Sequence, residues 1–163
     1  MFDILTVGEI LIDLTQSGVS ENGIPIYSAN PGGAPANVAV AASRLGASAA
    51  FIGKVGNDAY GGFLRETLEK NNVDTDGVVV DNSANTTLAV VSVNEMGERD
   101  FAFYRKNSAD ALLSENEITD RQLCNAHILH FGSVSLTDEP SRTATLSAVR
   151  RAREFGADRK SVV

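Results

Sequence analysis

The sequence of 163 residues carries a formal net charge of −7 and is 43% apolar, which allows one domain with a sizeable core and argues against a nucleic-acid surface or a disordered chain. Cys124 is the only cysteine, so an internal disulfide is excluded and a reducing compartment fits. The apolar runs are too short to span a membrane and Met1-Phe2-Asp3 lacks the basic start of a secretory signal, so a cytoplasmic protein without a membrane partner is expected.

Ile4 to Ile12 is rich in Ile, Leu and Val and predicts a strand buried on both faces of a parallel sheet. Asp13 would then stand at its carboxyl end, where ligands of open α/β sheets gather. Two readings of Asp13 stay open: a turn-making aspartate, or an acceptor for two hydroxyls. Glu9 lies inside this run and needs a partner that the sequence does not identify. From Gln16 to Asn30 the composition turns to Ser, Gly, Asn and Pro, which predicts an excursion from the core.

Gly32 and Gly33 follow Pro31 and suit a bend with positive φ beside a ligand. A helix is predicted over Ala34–Leu45, with Val38, Ala41, Ala42 and Leu45 at helical spacing and Ala36 and Ala39 small enough for close approach to a sheet. Gly46 stops it. Its first N–H groups, and Asn37 one turn in, would face whatever lies beside the glycine pair. A glycine pair before an alanine-rich helix is also ordinary packing punctuation.

A strand over Ala49–Ile52, an exit loop over Gly53–Asn57, a cap at Asp58, a helix over Ala59–Asn71 burying Phe63, Leu64 and Leu68, and a strand over Val78–Val80 continue the alternation. Such alternation predicts right-handed βαβ units. No phosphate loop is present, because Gly56 to Gly61 lacks the required Lys and Ser/Thr, and no G-x-G-x-x-G follows the first strand. Thr86–Val93 and Asp100–Arg105 predict a hairpin around Asn94-Glu95-Met96-Gly97-Glu98. Period two puts Phe101, Phe103 and Arg105 on one face. Phe103 could cover the C–H surface of a sugar while Arg105 donates to its oxygens, or the aromatic face could simply pack with Arg105 solvated.

Ser114 and Glu117 form a capping box that predicts a helix to about Leu123. In the strand Asn125–Phe131, His127 and His130 fall on opposite faces, which excludes a shared metal and favours hydrogen-bonded core histidines. Ser133, at the end of that strand, is a weak site candidate. Pro140 fits the first turn of a last helix that Gly156 ends.

Gly32, Gly33, Pro35, Asn37, Ala39, Gly46 and Gly56 stand at the spacings of the N-terminal signature of the PfkB carbohydrate kinases, the ribokinase-like sugar kinases. The chain resembles that family from about Ile4 to Ala157, over about the first half of a family chain. GGAPANVA, FYRKNSAD and VGEILIDL are most similar to the fructokinase branch. The resemblance implies a three-layer α/β/α core with a mostly parallel sheet (about 1–14, 32–85 and 106–157) and a small β-sheet lid (about 15–31 and 86–105). It implies a sugar site made by Asp13, Gly32, Gly33, Asn37, Phe103 and Arg105, with ATP and Mg²⁺ as cofactors, fructose as substrate, and a homodimer through the lid. Related 2-keto-3-deoxygluconate kinases carry Tyr where Phe103 stands, so a neutral ketose is favoured here.

The family's Asp-Pro-Asn-x-Arg strand end and its Gly-Ala-Gly-Asp base are not in this sequence, and residues 158–163 read as a foreign tail in place of the next apolar strand. No catalytic residue is therefore expected within the chain, and the chain as written is expected to lack kinase activity. The alternatives are a piece of another PfkB kinase, for ribose, a nucleoside or 2-keto-3-deoxygluconate, and a silent sugar-binding module.

Overall fold

The computed structural model describes residues 1–93, 99–156 and 158–161. In chain order the elements are β1 (Phe2–Val7), β2 (Leu11–Val19), β3 (Pro25–Gly32), α1 (Ala34–Arg44), β4 (Ala49–Gly56), α2 (Ala59–Lys70), β5 (Val73–Asp81), β6 (Leu88–Val93), β7 (Arg99–Tyr104), α3 (Asp120–Leu123), β8 (Ala126–Phe131), α4 (Ser141–Glu154) and β9 (Asp158–Ser161). A five-stranded sheet runs β5-β4-β1-β8-β9 with every neighbouring pair parallel. A four-stranded sheet runs β3-β2-β6-β7, with two antiparallel hairpins joined through the parallel pair β2 and β6.

The parallel sheet is covered on both faces, as sheets of this kind require. One core gathers Leu5, Val7, Ile52 and Leu129 with Leu123, Ala144 and Ala148 of α3 and α4. The other gathers Phe51, Val55 and Val73 with Ala36 and Ala39 of α1 and Leu64 and Leu68 of α2. α1 meets the sheet through its small residues Ala36 and Ala39, while Leu45 is 88% exposed. The apolar stripe Val38–Leu45 is thus not the buried one; close approach puts the alanines inside. On α2, Leu64 and Leu68 are buried but Phe63 is an exposed flank residue. Gly46 ends α1 at φ +94°, as a left-handed stop should.

The chain enters and leaves the small sheet at other places than the sequence suggests. Ile4–Ile12 is two strands, β1 in the core and β2 in the lid, broken at Gly8 with φ +148°. Asp13 therefore lies within a lid strand, not at the end of a core strand. Gly53–Gly56 is no exit loop either: β4 continues through it, and a Cβ at Gly53 would stand 2.5 Å from the Phe51 ring and 2.7 Å from the Gly8 carbonyl oxygen. Asp58 caps α2, accepting from Gly61 N at 2.8 Å, and also takes the Thr86 N–H at 2.8 Å. One carboxylate thus fixes both a helix start and the second entry into the lid.

Ser114 and Glu117 close a single 3-10 turn, and the four-residue α3 starts afresh from its own Thr119–Gln122 capping box. Pro140 precedes α4, which begins at Ser141. The predicted hairpin tip 94–98 lies outside the described residues. Asp158–Ser161 pairs with β8 as the fifth strand of the main sheet, although its residues are polar.

Candidate functional site

Strand order reverses between β1 and β8: the chain moves from β1 towards β4 and β5 on one side, and from β8 to β9 on the other. A crevice opens at the carboxyl ends of two such strands, and this is where open α/β sheets bind ligands. Glycines line it. A Cβ on Gly8 would sit 2.7 Å from Pro35 Cγ, and one on Gly132 would sit 2.8 Å from Pro35 Cγ and 2.9 Å from Glu9 Oε2. The first turn of α1 is thereby pressed onto the crevice.

Glu9 supplies the clamp. Its side chain is buried, and Oε1 accepts the first N–H of α1, from Ala34, at 3.1 Å. Oε2 is buried with no hydrogen-bond partner among the described residues. Burial pushes the Glu9 carboxyl above the usual carboxylate range, against the lowering effect of backbone donors that include Ala34. The folded chain thus holds this proton more tightly than the unfolded one. Stability from Glu9 is complete below the unfolded value of about 4.3 and is lost as pH rises through the raised folded value. Glu9→Gln is expected to abolish that decline, which urea midpoints of both proteins between pH 4 and 8 will read; parallel profiles would refute it.

Gly32 and Gly33 form the passage from β3 into α1. Gly33 has φ +103°, and its Cβ would stand 2.5 Å from the Glu9 carbonyl oxygen. At Gly32 a Cβ would fall 2.2 Å from Asp13 Oδ2, so the carboxylate of Asp13 lies directly on the glycine backbone. Asp13 is half-buried, its carboxyl pushed up by burial, and its carboxylate takes no hydrogen bond from the described residues. Asn37 is exposed, one turn along α1, with its own N–H bonded to Gly33 O at 2.9 Å. The structure thus puts Asp13 on the Gly32–Gly33 passage, with Asn37 one turn further along α1.

Phe103 reaches the same surface through the lid register. Asn30 pairs with Asp13, Asp13 with Ala89, and Ala89 with Phe103, so this row shares one face. Two strand spacings of about 4.8 Å each separate Asp13 from Phe103. Phe101 stacks on Phe103 with ring centroids 6.2 Å apart and planes at 16°. Both rings are half-exposed, so this is an open aromatic platform and not a packed one.

Arg105 departs from both sequence readings, since it is neither solvated nor free beside Phe103. Its side chain is 9% exposed and folds inward: Nε donates to Asp110 Oδ2 at 2.7 Å, and Nη1 to Asp138 Oδ2 at 2.5 Å and Thr137 Oγ1 at 2.9 Å. Nη2 is buried without a partner among the described residues. Asp110 also accepts from Ser108 at 2.9 Å and from Thr87, which ties the foot of β7 to the foot of β6. Motif spacing could not reveal Glu9 or Asp138 as parts of this site, because they find their partners 25 and 33 residues away; Asp110, five residues from Arg105, ends the FYRKNSAD stretch.

His127 is exposed and so is not the core residue expected, whereas His130 is buried, with Nε2 unpartnered among the described residues and its pKa lowered by burial. Ser133 leads into a 3-10 turn over Val134–Leu136. Two other clefts lie elsewhere: one of about 590 Å³ beside Phe2, Asp74 and Arg121 at the opposite edge of the sheet, and one of about 360 Å³ beside Ser83, Tyr104 and Lys106. Among the described residues no group of three or more His, Cys, Asp or Glu side chains is placed to hold a metal ion. The first N–H of α1 is given to a carboxylate. These residues do not fit a metal–nucleotide.

The chain is 49% identical over 156 residues to fructokinase-1 of Zea mays, covering 94% of this chain and 48% of that protein. It superposes with a TM-score of 0.93 on the crystal structure of fructokinase from Xylella fastidiosa, at 37% identity over 99% of this chain and 50% of the other. An E.coli structure in complex with ATP and Mg²⁺ superposes with a TM-score of 0.89 at 29% identity, covering 99% of this chain and 52% of that one. The chain spans about half the length of the curated relatives it matches. The pfkB family carbohydrate kinase signature matches residues 1–163, so by sequence, by the ribokinase-like arrangement of its two sheets and by the crevice they enclose, the chain belongs to the PfkB carbohydrate kinases.

Proposed function

We propose that these residues are the sugar-holding part of an ATP-dependent fructokinase, which transfers the terminal phosphoryl group of ATP to fructose to give fructose 6-phosphate. The observation that carries this reading is the Asp13 carboxylate, half-buried and unpartnered among the described residues, seated on Gly32 at the mouth of the β1–β8 crevice. Asp13 accepts from two neighbouring ring hydroxyls, and Asn37 donates to one oxygen and accepts from another. Phe103, backed by Phe101, covers the C–H face of the ring. Gly32 and Gly33 keep side chains out of the space the ring needs.

ATP with Mg²⁺ supplies the phosphoryl group when bound. The described residues do not fit it, and its cradle and the general base are assigned to the part of the relatives that this chain does not span. Phosphoryl transfer depends on positioning and on charge stabilisation at the transferred group. The 163 residues alone are accordingly proposed to hold sugar without turning it over. Exposed apolar side chains on the lid, including Val19, Ile26 and Tyr104, support pairing of two copies through that sheet. Among the described residues no helix is long and apolar enough to cross a membrane.

Asp13→Ala tests the reading. Loss of two charge-assisted hydrogen bonds is expected to lower fructose affinity about a hundredfold in the complete gene product that contains these residues, with the melting temperature little changed. Because burial raises the Asp13 carboxyl and the ionised form is the acceptor, wild-type affinity should fall as pH drops through that raised value. Calorimetric titration measures both. Unchanged fructose affinity in the folded variant would remove Asp13 from the site and the reading with it.

A further inference from the structure

Arg105 is the one cation among the residues assembled at this site, and its charge is answered twice. Asp110, 1% exposed on its side chain, holds Nε from within, and Asp138, 57% exposed, holds Nη1 from the solvent side. One guanidinium between two carboxylates leaves the cluster with a net charge of about −1 at neutral pH. The two acids do different work. Asp110 also receives Ser108 and Thr87 and is built into the foot of the lid. Asp138 stands on the loop between β8 and α4, where an exposed ion pair contributes little to stability.

We propose that Asp138 masks the charge of Arg105 and thereby sets the site for uncharged sugars, excluding those that carry a carboxylate. This inference rests on the sugar-kinase reading and names its substrate class. A guanidinium open to solvent on one edge is a fork that fits a carboxylate in two hydrogen bonds. Here the outward edge is filled: Nη1 is engaged by Asp138 and Thr137, and Nη2 is buried. A sugar acid that reaches Arg105 from the solvent side meets the exposed Asp138 carboxylate before it meets the 9% exposed guanidinium. A neutral ketose meets no such repulsion, and its hydroxyls are served by Asp13 and Asn37. Removing the charge of Asp138 turns the outward edge of Arg105 into an acid-binding group without touching Asp110.

The test compares wild type, Asp138→Asn, Asp138→Ala and the double variant Arg105→Met/Asp138→Asn in the complete gene product. kcat/KM is read by ADP release with D-fructose and with two sugar acids, D-gluconate and 2-keto-3-deoxygluconate. The ratio of acid to fructose kcat/KM is expected to rise about tenfold or more in both single variants, one charge-assisted contact being gained. That gain should vanish in the double variant. An unchanged ratio in both single variants, with circular dichroism and melting intact, overturns the proposal, as does a wild type that prefers the acids. If the wild type turns over a neutral sugar other than fructose, the fructose assignment fails and the ratio is scored on that sugar. If it turns over no sugar, the kinase reading fails and this inference falls with it.

Discussion

Replacing Lys54 with alanine is expected to destabilise the fold by about 3–5 kcal/mol, the range for breaking a buried ion pair from one side. Lys54 projects from β4 and its ammonium group bonds Asp81 at 2.9 Å and Glu117 at 2.8 Å, with the Leu112 carbonyl oxygen at 3.3 Å. Without it, two poorly solvated carboxylates surround the space the ammonium filled. The electrostatics point the same way. Lys54 above all, then Ser83, hold the Asp81 carboxyl well below the usual carboxylate range. Burial acts to raise Glu117, but hydrogen bonds from Lys54 and Ser114 outweigh it and leave this carboxyl low as well.

Both acids are depressed, so their contribution is present above the unfolded carboxylate values near 4 and is lost as pH falls through the folded ones. Urea denaturation from pH 7 down to pH 3 should therefore show wild type losing more stability than Lys54→Ala. A loss under about 1 kcal/mol at pH 7 would mean that the cluster is solvated in solution and behaves as a surface pair. The triple variant Lys54→Met, Asp81→Asn, Glu117→Gln is expected to recover most of the loss, since it removes the stranded charges along with the cation.

Gly33→Ala should be nearly as damaging, at about 2–5 kcal/mol, for reasons of space and not of charge. Gly33 sits at φ +103°, and the added methyl would come 2.5 Å from the Glu9 carbonyl oxygen and 2.9 Å from Ile10 Cα. Both contacts are backbone, so no side chain can swing away. Relief requires the start of α1 to back off Glu9 and Ile10. Gly46→Ala is the control. Gly46 has φ +94° with nothing within 4 Å of its Cβ position, and its substitution should cost only about 1 kcal/mol of backbone strain. Chemical denaturation of the two variants side by side separates conformation from collision. Equal losses would show that Gly33 is there for its φ alone.

What could be read from the sequence was chemistry that closes on itself locally. The cap at Asp58, the Ser114–Glu117 box, the stop at Gly46 and the glycine pair before α1 depend on residues a few positions apart, and all are found. The break at Gly8 was not legible. Ile10 and Ile12 are as deeply buried as the core strand they follow, because the foot of the lid packs on the α1 side of the sheet. A run that stays apolar gives no sign that it has changed sheets. Gly53 misled in the opposite direction. The two glycines of Gly53-Lys54-Val55-Gly56-Asn57 suggested a loop, but Gly53 leaves room for the Phe51 ring of its own strand and lets β4 run beside the backbone of Gly8. The resemblance to sugar kinases pointed to Arg105, and only the folded chain shows that two aspartates hold it.

The chain passes between the two sheets at Gly8–Ile10, at Gly32–Gly33, at Asn82–Thr87 and at Arg105–Asp110. These crossings lie side by side, tied by Ala34 N to Glu9, by Thr87 to Asp110 and by Ala109 N to the Asn85 carbonyl oxygen at 2.9 Å. For protein engineering this makes the small sheet a cassette. Exchange of its hairpins between relatives at four neighbouring seams is expected to leave the register of every strand in the parallel sheet unchanged, so the four-stranded sheet can be varied apart from the sheet that holds the molecule together.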